Sequence, residues 1–564
     1  MSKKTTLRIF MCLGINIVIS AIAIFVFGTK INVEDDYNIA FMAYGIVTEP
    51  SAYVYYTHYI LGGIYKRLFE LVPGFNWQTL IYYLGLIFSG TVGLYSVQLK
   101  KNKVLTMLWF LAEFVFFHEV YVFLTFSVVA AYAASQAYLS IFIMISEEKT
   151  RIWEYVVAGL ALVFSSMVRF DSFLGISGFA FFVWLILVVF ELKKVRNIKV
   201  ILTKYLYPFA GVLIICMALF VADRNSYSKG GFKEYKDHES TRHIVTDYRN
   251  GISEGDFETL DSMGINKSMA LAVFEYRHDD PEVLNLEVLE KLASTTKKYN
   301  YLTSPYVWKE YGKQWKNVFS DHLEVYFVLA TLVFLVCSVR EKQKRFWPFL
   351  LLLPFGAEFF YFAYNGRTEG GAYPDRIVCV VMLGLVMGVI ALYSNLVQDN
   401  MLALKIKISV MAVLILLAFI AQPFGDYKVD GLGLVKTRPI RKEYGFLGNE
   451  GKVYICDCSV SYFIAKSYGA WQMPEEGFLD QCVVIGDWLV KHPMYEQHQE
   501  ALGVPNPYRA LFSQDNVYFL TGENLEEVIL TYLRENYDSR IDMSYIKDKG
   551  ELRMYQYYLE DIDY

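Results

Sequence analysis

The chain has 564 residues, of which 55% are hydrophobic, 17% aromatic and 20% charged, with a formal net charge of −5 and a pI near 6.0. The charges are clumped, and long runs carry none, which excludes a fibrous or disordered chain and a single soluble enzyme. The slightly acidic balance gives no footing for nucleic acid.

A crossing helix needs about 20 mainly apolar residues. About eleven segments are predicted as transmembrane helices by that criterion: near 8–28, 77–98, 104–117, 122–145, 152–168, 172–190, 200–222, 323–339, 346–363, 377–397 and 405–422. The third is short and is expected to tilt or to pair tightly with the fourth. No small-residue cleavage site follows Phe27, so the first segment reads as a retained span. Every second loop is basic: Lys3, Lys4 and Arg8; Lys100, Lys101 and Lys103; Lys149 and Arg151; Lys193, Lys194, Arg196 and Lys199; Arg340, Lys342, Lys344 and Arg345; Lys405 and Lys407. By the positive-inside rule this alternation puts the N-terminus in the cytoplasm and the tail outside.

The same register divides the chain into an N-terminal membrane module, 1–222, with an outer first loop at 29–76. An outer helical insertion follows at 223–322, then further spans at 323–422 and an outer tail at 423–564. The insertion is densely charged and nearly balanced in sign, and 281–298 has helical apolar spacing. The tail reads as an α/β unit. Strands are predicted at Lys452–Cys458 and Asn516–Leu520, and a helix at Glu523–Asn536. Residues 50–71 are apolar and aromatic but interrupted by Lys66 and Arg67. A span there would invert every later loop, so this stretch is expected to lie flat on the membrane. Seven cysteines make no framework and no zinc spacing, although a bridge from Cys456 or Cys458 to Cys482 stays open.

Chemistry concentrates on the outer face. Glu34, Asp35 and Asp36 follow the first span. A carboxylate there can take a proton from an acceptor hydroxyl, and a neighbouring one can position it or hold a metal. The flat segment would bring His58 and several tyrosines beside these acids. Arg169 and Asp171 interrupt an apolar stretch, where an ionisable pair suggests a lined cavity. Glu119 sits in an outer turn, Arg224 ends the seventh span, and Arg367, Asp375 and Arg376 fall in a glycine-rich outer loop. Arginine offers a planar fork for phosphate oxygens. No dinucleotide fingerprint, Walker motif or nucleophile elbow occurs.

A first span, an Asp-Asp pair just after it, a long outer loop, about a dozen spans and an outer tail together resemble the GT-C glycosyltransferases. That superfamily includes protein O-mannosyltransferases and bacterial lipid A aminoarabinose transferases. The resemblance implies a lipid-phosphate-linked sugar donor and a catalytic acid in the first loop, which here is Asp35 or Asp36. The loop lacks the Lys-Pro-Pro run of the aminoarabinose branch, so neither sugar nor acceptor carries over.

The sequence therefore points to a polytopic α-helical glycosyltransferase in a bacterial plasma membrane. It would move a sugar, with inversion, from a polyprenyl phosphate to an extracytoplasmic glycan, lipid or protein. Asp35 or Asp36 would be the base, and Arg169, Arg224, Arg367 and Arg376 would hold the donor phosphate. Glu34, His58, Glu119, Asp171 and Asp375 would support the site. A Mg or Mn ion at Asp35 and Asp36 is an option that the chemistry does not require. Three alternatives remain: a polysaccharide polymerase, a transporter or flippase of lipid-linked glycans, and a non-catalytic scaffold. A flippase would be expected to show repeated halves, and none is visible.

The orientation has a direct check. Single cysteines introduced at Ser2 and Ser513 are expected to react with an impermeant maleimide from opposite sides of the membrane. Labelling of both from one side would refute the assignment.

Overall fold

The computed structural model describes the chain except residues 1–2, 32–33, 47, 148–149, 196–197, 247–256, 276, 296–304, 365–372, 398–403, 422–443, 449–450, 461–463, 465–468, 476, 487–488, 523–524 and 561–564. The N-terminal module contains α1 (Lys3–Ile22), β1 (Lys30–Ile31), α2 (Glu34–Tyr44), α3 (Tyr59–Leu71), α4 (Trp77–Leu99) and α5 (Lys103–Val115). It continues through β2 (Phe123–Leu124), α6 (Phe126–Ile145), α7 (Ile152–Val168), α8 (Phe170–Val195) and α9 (Tyr207–Ser226). Each apolar run expected to cross the membrane is helical over most of its length. Among the described residues seven helices are long and apolar enough to cross, and an eighth candidate is a pair bent by 92° at Tyr311–Asp321 and Glu324–Ser338.

Helix α6 is the axis of this module, with all of its crossing segment buried. It packs against α4, α7, α8 and a later span. Its alanines at 130, 131, 133, 134 and 137 are fully buried. Small residues let helix backbones approach where no hydrophobic force drives helices together in lipid. Glycines on α4 serve the same packing: a Cβ at Gly93 would collide with the Gln136 carboxamide, and one at Gly90 with Asn16.

A buried polar chain ties these helices together and runs outward. Glu113 on α5 accepts from the Tyr121 hydroxyl at 2.9 Å, the Tyr132 hydroxyl at 2.9 Å and Gln136 Nε2 at 2.8 Å. Tyr83 donates to the Tyr121 carbonyl at 2.6 Å and pairs with the Thr29 hydroxyl at 2.8 Å. Trp471 of the tail then donates to Thr29 at 3.2 Å and stacks on Tyr83, centroids 5.4 Å apart. Asn76 N–H donates to the Trp471 carbonyl and Met473 N–H to the Gly74 carbonyl, at 3.0 and 3.1 Å. The tail thus grips both ends of the first outer loop.

Within that loop, α3 has 13 residues, too short to cross at about 1.5 Å per residue. Leu61, Tyr65 and Phe69 are buried inward, while Ile60, Ile64 and Leu71 face out. The segment 50–71, expected to lie flat, is helical only from Tyr59. Residues 50–58 form an irregular segment, and Lys66 ties it down by donating to the Pro50 carbonyl at 2.8 Å.

The insertion contains α10 (Phe232–Thr246), α11 (Lys267–Phe274), α12 (Leu286–Thr295) and α13 (Pro305–Asp321). Then come α14 (Glu324–Ser338), α15 (Leu352–Tyr364), α16 (Asp375–Leu396) and α17 (Leu404–Ile420). The tail is α/β, with β3 (Val453–Asp457), β4 (Cys482–Ile485), α18 (Pro493–Ala501), α19 (Pro507–Ser513), β5 (Val517–Thr521), α20 (Glu526–Asn536), β6 (Ile541–Lys549) and β7 (Leu552–Leu559). Its five strands run in the order β4-β3-β5-β7-β6. The first three are parallel, and β7 is antiparallel to both β5 and β6. The cysteines are unbridged.

Insertion and tail are welded by buried acids. Asp280 accepts from the hydroxyls of Tyr532 and Tyr537, each at 2.7 Å, and Asp279 from Tyr508 at 2.7 Å. Burial raises the Asp279 pKa to about 6, against the opposing effect of the Tyr508 hydrogen bond.

Candidate functional site

The two aspartates of the first loop have different surroundings. Asp36 is fully buried. Its Oδ1 accepts from Phe126 N–H at 2.9 Å, from the Tyr82 hydroxyl at 3.0 Å and from Gln78 Nε2 at 3.4 Å. Phe126 is the first residue of α6, so Asp36 satisfies one of the helix's free N-terminal donors. Burial drives its pKa well up; the hydrogen bonds from Tyr82 and Phe126 and the nearby Arg376 charge pull the other way. Asp36 thereby fastens α2 to α4 and α6. Asp35, one residue earlier, instead lines a cavity.

That cavity has a volume of about 590 Å³ and is bounded by α2, α8, α15 and α16. Asp35, Arg169, Asp171 and Arg376 line it together. Most of its remaining wall is apolar or small, including Leu174, Gly178, Phe182, Pro354, Phe362 and Val380. Charged groups of both signs thus meet a largely apolar lining.

Arg169 occupies the break between α7 and α8, in extended backbone with φ −155° and ψ 107°. Its side chain is only 10% exposed and pairs with Asp171 at 3.0 Å. The guanidinium carbon lies 4.1 Å from the Tyr56 ring centroid and 5.0 Å from that of Phe126. Stacking on two rings fixes the plane of the fork. Pairing with Asp171 and lining the cavity occur together.

Arg376 is the second residue of α16 and is partly buried. Its neighbour Asp375 pairs with His322, at 3.7 Å, and His322 also contacts Glu324 at 3.2 Å. Burial alone would keep His322 neutral, but Glu324, Asp375 and Glu119 outweigh it and raise its pKa. Burial raises Glu119 to about 7, with Asp375 and Glu324 adding to it. Glu119 and Asp375 therefore form an acid cluster around His322, beside the cavity's Arg376 end. His58 caps α3: its Nδ1 accepts from Ile60 N–H at 3.1 Å, so the proton sits on Nε2, which donates to the Leu219 carbonyl at 2.9 Å. Arg224 is exposed at the end of α9 and belongs to neither this cavity nor the polar one beside it. Arg367 and the Glu34 side chain lie outside the described residues.

A divalent ion at Asp35 and Asp36 fits poorly. Such ions take six or more oxygens, or few carboxylates plus substrate phosphates. Asp36 is sealed and already accepts three hydrogen bonds on one oxygen. Among the described residues no group of three His, Cys, Asp or Glu side chains could hold a metal.

Among the further lining residues, Tyr56 and Glu358 bear most on the charged groups. Tyr56 needed the fold to reach Arg169. Glu358, a carboxylate within the apolar run of α15, faces Gly175 and Gly178 of α8, its oxygens 3.4 and 3.6 Å from where their Cβ atoms would be. A lone acid in such a run is itself a signal, because intramembrane carboxylates are costly to insert.

No family model and no curated protein matches this sequence. Among solved structures, the chain is similar to ArnT from Cupriavidus metallidurans bound to undecaprenyl phosphate, at 11% identity over 97% of each chain with a TM-score of 0.41. It is also similar to the apo state of the same protein, at 12% identity over 98% of each chain with a TM-score of 0.36.

The distinction between the two aspartates gives a stability test. Asp36→Ala removes the acceptor at the start of α6 and strands the Tyr82 hydroxyl. It is expected to cost about 1–3 kcal/mol, read as a lower unfolding midpoint in detergent. Asp35→Asn is expected to leave that midpoint within about 0.5 kcal/mol, as for a cavity-facing polar swap. Equal losses in both variants would contradict the assignment.

Proposed function

We propose that this protein is an integral membrane glycosyltransferase of GT-C type, acting at the outer face of a bacterial plasma membrane. It transfers a sugar from a polyprenyl-phosphate donor to a hydroxyl of an extracytoplasmic glycan, lipid or protein. The observation that carries this reading is the single cavity lined by Asp35, Arg169 and Arg376 and otherwise largely apolar.

In this reading the first isoprene units of the donor lie between α8, α15 and α16. The phosphate meets the Arg169 and Arg376 guanidinium groups. The acceptor oxygen attacks the anomeric carbon, and its proton passes to the Asp35 carboxylate. The bond from that carbon to the phosphate oxygen breaks, and polyprenyl phosphate departs with the electron pair. One displacement inverts the configuration. The arginines act as charge builds on the leaving phosphate, the kind of preorganised electrostatic stabilisation that supplies much of enzymatic rate enhancement. Asp36 is a positioning residue that holds Asp35 against the cavity. Arg224, exposed away from the cavity, has no part in the phosphate site. The polymerase alternative would also transfer a glycosyl group, but from a different donor.

Turnover of a purified lipid-linked donor tests this. Asp35→Asn is expected to slow transfer by about 10²–10⁴, the usual range for loss of a general base. Arg376→Lys keeps the charge but not the fork, so it is expected to slow transfer, and Arg376→Ala more so, chiefly in single-turnover rate. Near-normal turnover in both Asp35→Asn and Arg376→Ala would end this mechanism.

A further inference from the structure

A second cavity of about 330 Å³ lies next to the first, under the insertion. The two share Tyr56, Arg169 and Asp171 as walls. Their chemistry differs. The larger has an apolar lining over most of its extent, whereas the smaller combines ring faces with hydroxyl, imidazole, carboxylate and ammonium groups. Its volume is at the low end of ligand sites, which span about 300–1,000 Å³.

The roof comes from α10. Lys236, Ser240 and His243 line the cavity, and their spacing of four and three residues puts them on one helix face. Lys236 Nζ lies 4.3 Å from the Tyr55 ring centroid and 4.9 Å from that of Tyr227. Among the described residues no carboxylate is within ion-pair distance of it. His243 Nε2 meets the Tyr56 hydroxyl at 3.1 Å, and its ring stacks on Tyr55 with centroids 5.5 Å apart. On the floor, Phe170 stacks on Phe220 at 4.3 Å. Flat aromatic faces with a few convergent donors and acceptors suit a ring that is apolar on its faces and hydroxylated at its edge.

We propose that this smaller cavity binds a sugar ring, and that Lys236, Ser240 and His243 of the insertion select which one. The inference rests on the glycosyltransferase reading above. A phosphate held at Arg169, on the shared wall, would have its lipid in one cavity and a sugar in the other. The ring could belong to the donor or to the acceptor, and both present the same hydroxylated edge to Lys236.

The test uses the full chain in nanodiscs. The probes are methyl glycosides of glucose, galactose, mannose and arabinose, followed by saturation-transfer NMR, and undecaprenyl phosphate, followed by direct binding. At least one glycoside is expected to give a signal with the wild-type protein. Lys236→Met, which keeps the stem over the tyrosine rings, is expected to reduce that signal at least fivefold. Ser240→Trp, at an exposed helix position on the cavity mouth, is expected to do the same by bulk. Undecaprenyl phosphate affinity is expected to stay within twofold in both variants. Loss of the glycoside signal on adding undecaprenyl-phosphoryl-glucose, but not undecaprenyl phosphate, assigns the cavity to the donor ring. Persistence with both assigns it to the acceptor ring. No glycoside signal with the wild-type protein, or an undiminished signal in both variants, overturns the proposal. If undecaprenyl phosphate itself fails to bind the wild-type protein, the lipid-linked donor reading falls, and the glycoside result still stands on its own.

Discussion

The structure turns on the contact of Asp36 with the start of α6. This carboxyl is buried and accepts from Phe126 N–H and the Tyr82 hydroxyl. Those partners belong to helices that are 90 and 46 residues away in sequence. An isolated buried acid is costly; hydrogen-bonded at a helix N-terminus, it becomes a fixed point. The fixed point sets where the first outer loop leaves the membrane helices. It also leaves Asp35, its neighbour, on the cavity wall.

A second set of contacts holds the other side of the same loop. β1 pairs with β2 in parallel, Lys30 opposite Phe123 and Ile31 opposite Leu124. Trp471 of the tail donates to Thr29 and stacks on Tyr83. From there the polar chain continues through Tyr121 to Glu113. The tail is thus more than an appendage, because its 470–473 segment braces the loop that carries Asp35. The insertion is fixed in turn by Asp279 and Asp280, whose partners are tail tyrosines. Membrane helices, insertion and tail therefore converge on the first outer loop.

Much of this was legible in the sequence, for physical reasons that also mark where legibility ends. Apolar runs announce helices locally, so helices fell where expected, although among the described residues seven, or eight with the bent pair, rather than about eleven are long and apolar enough to cross. The strands β3 and β5 are largely buried runs of β-branched and aromatic residues and were equally plain. The β6–β7 hairpin was not. β6 is an exposed edge strand carrying Asp542, Lys547 and Asp548, and such charges mask the strand pattern while guarding the edge. Among the site residues, the acidic run after the first span and the Arg169–Asp171 break were visible as ionisable groups in costly places. Which aspartate faces the cavity was not visible, since it depends on long-range partners. Nor was it visible that Arg224 would project outward, or that His58 would spend both ring nitrogens on capping α3 and holding α9.

The central claim is that an anionic polyprenyl lipid occupies the cavity between α8, α15 and α16 with its head at Asp35, Arg169 and Arg376. Photo-crosslinking with a diazirine-bearing polyprenyl phosphate, followed by peptide mass spectrometry, tests it most directly. The expected labels lie on the cavity-facing residues of α8 and α15, around Gly175 to Phe182 and Pro354 to Phe362, and diminish when unlabelled polyprenyl phosphate is added. Labels confined to the outward faces of α1 and α9, insensitive to competitor, would contradict the account.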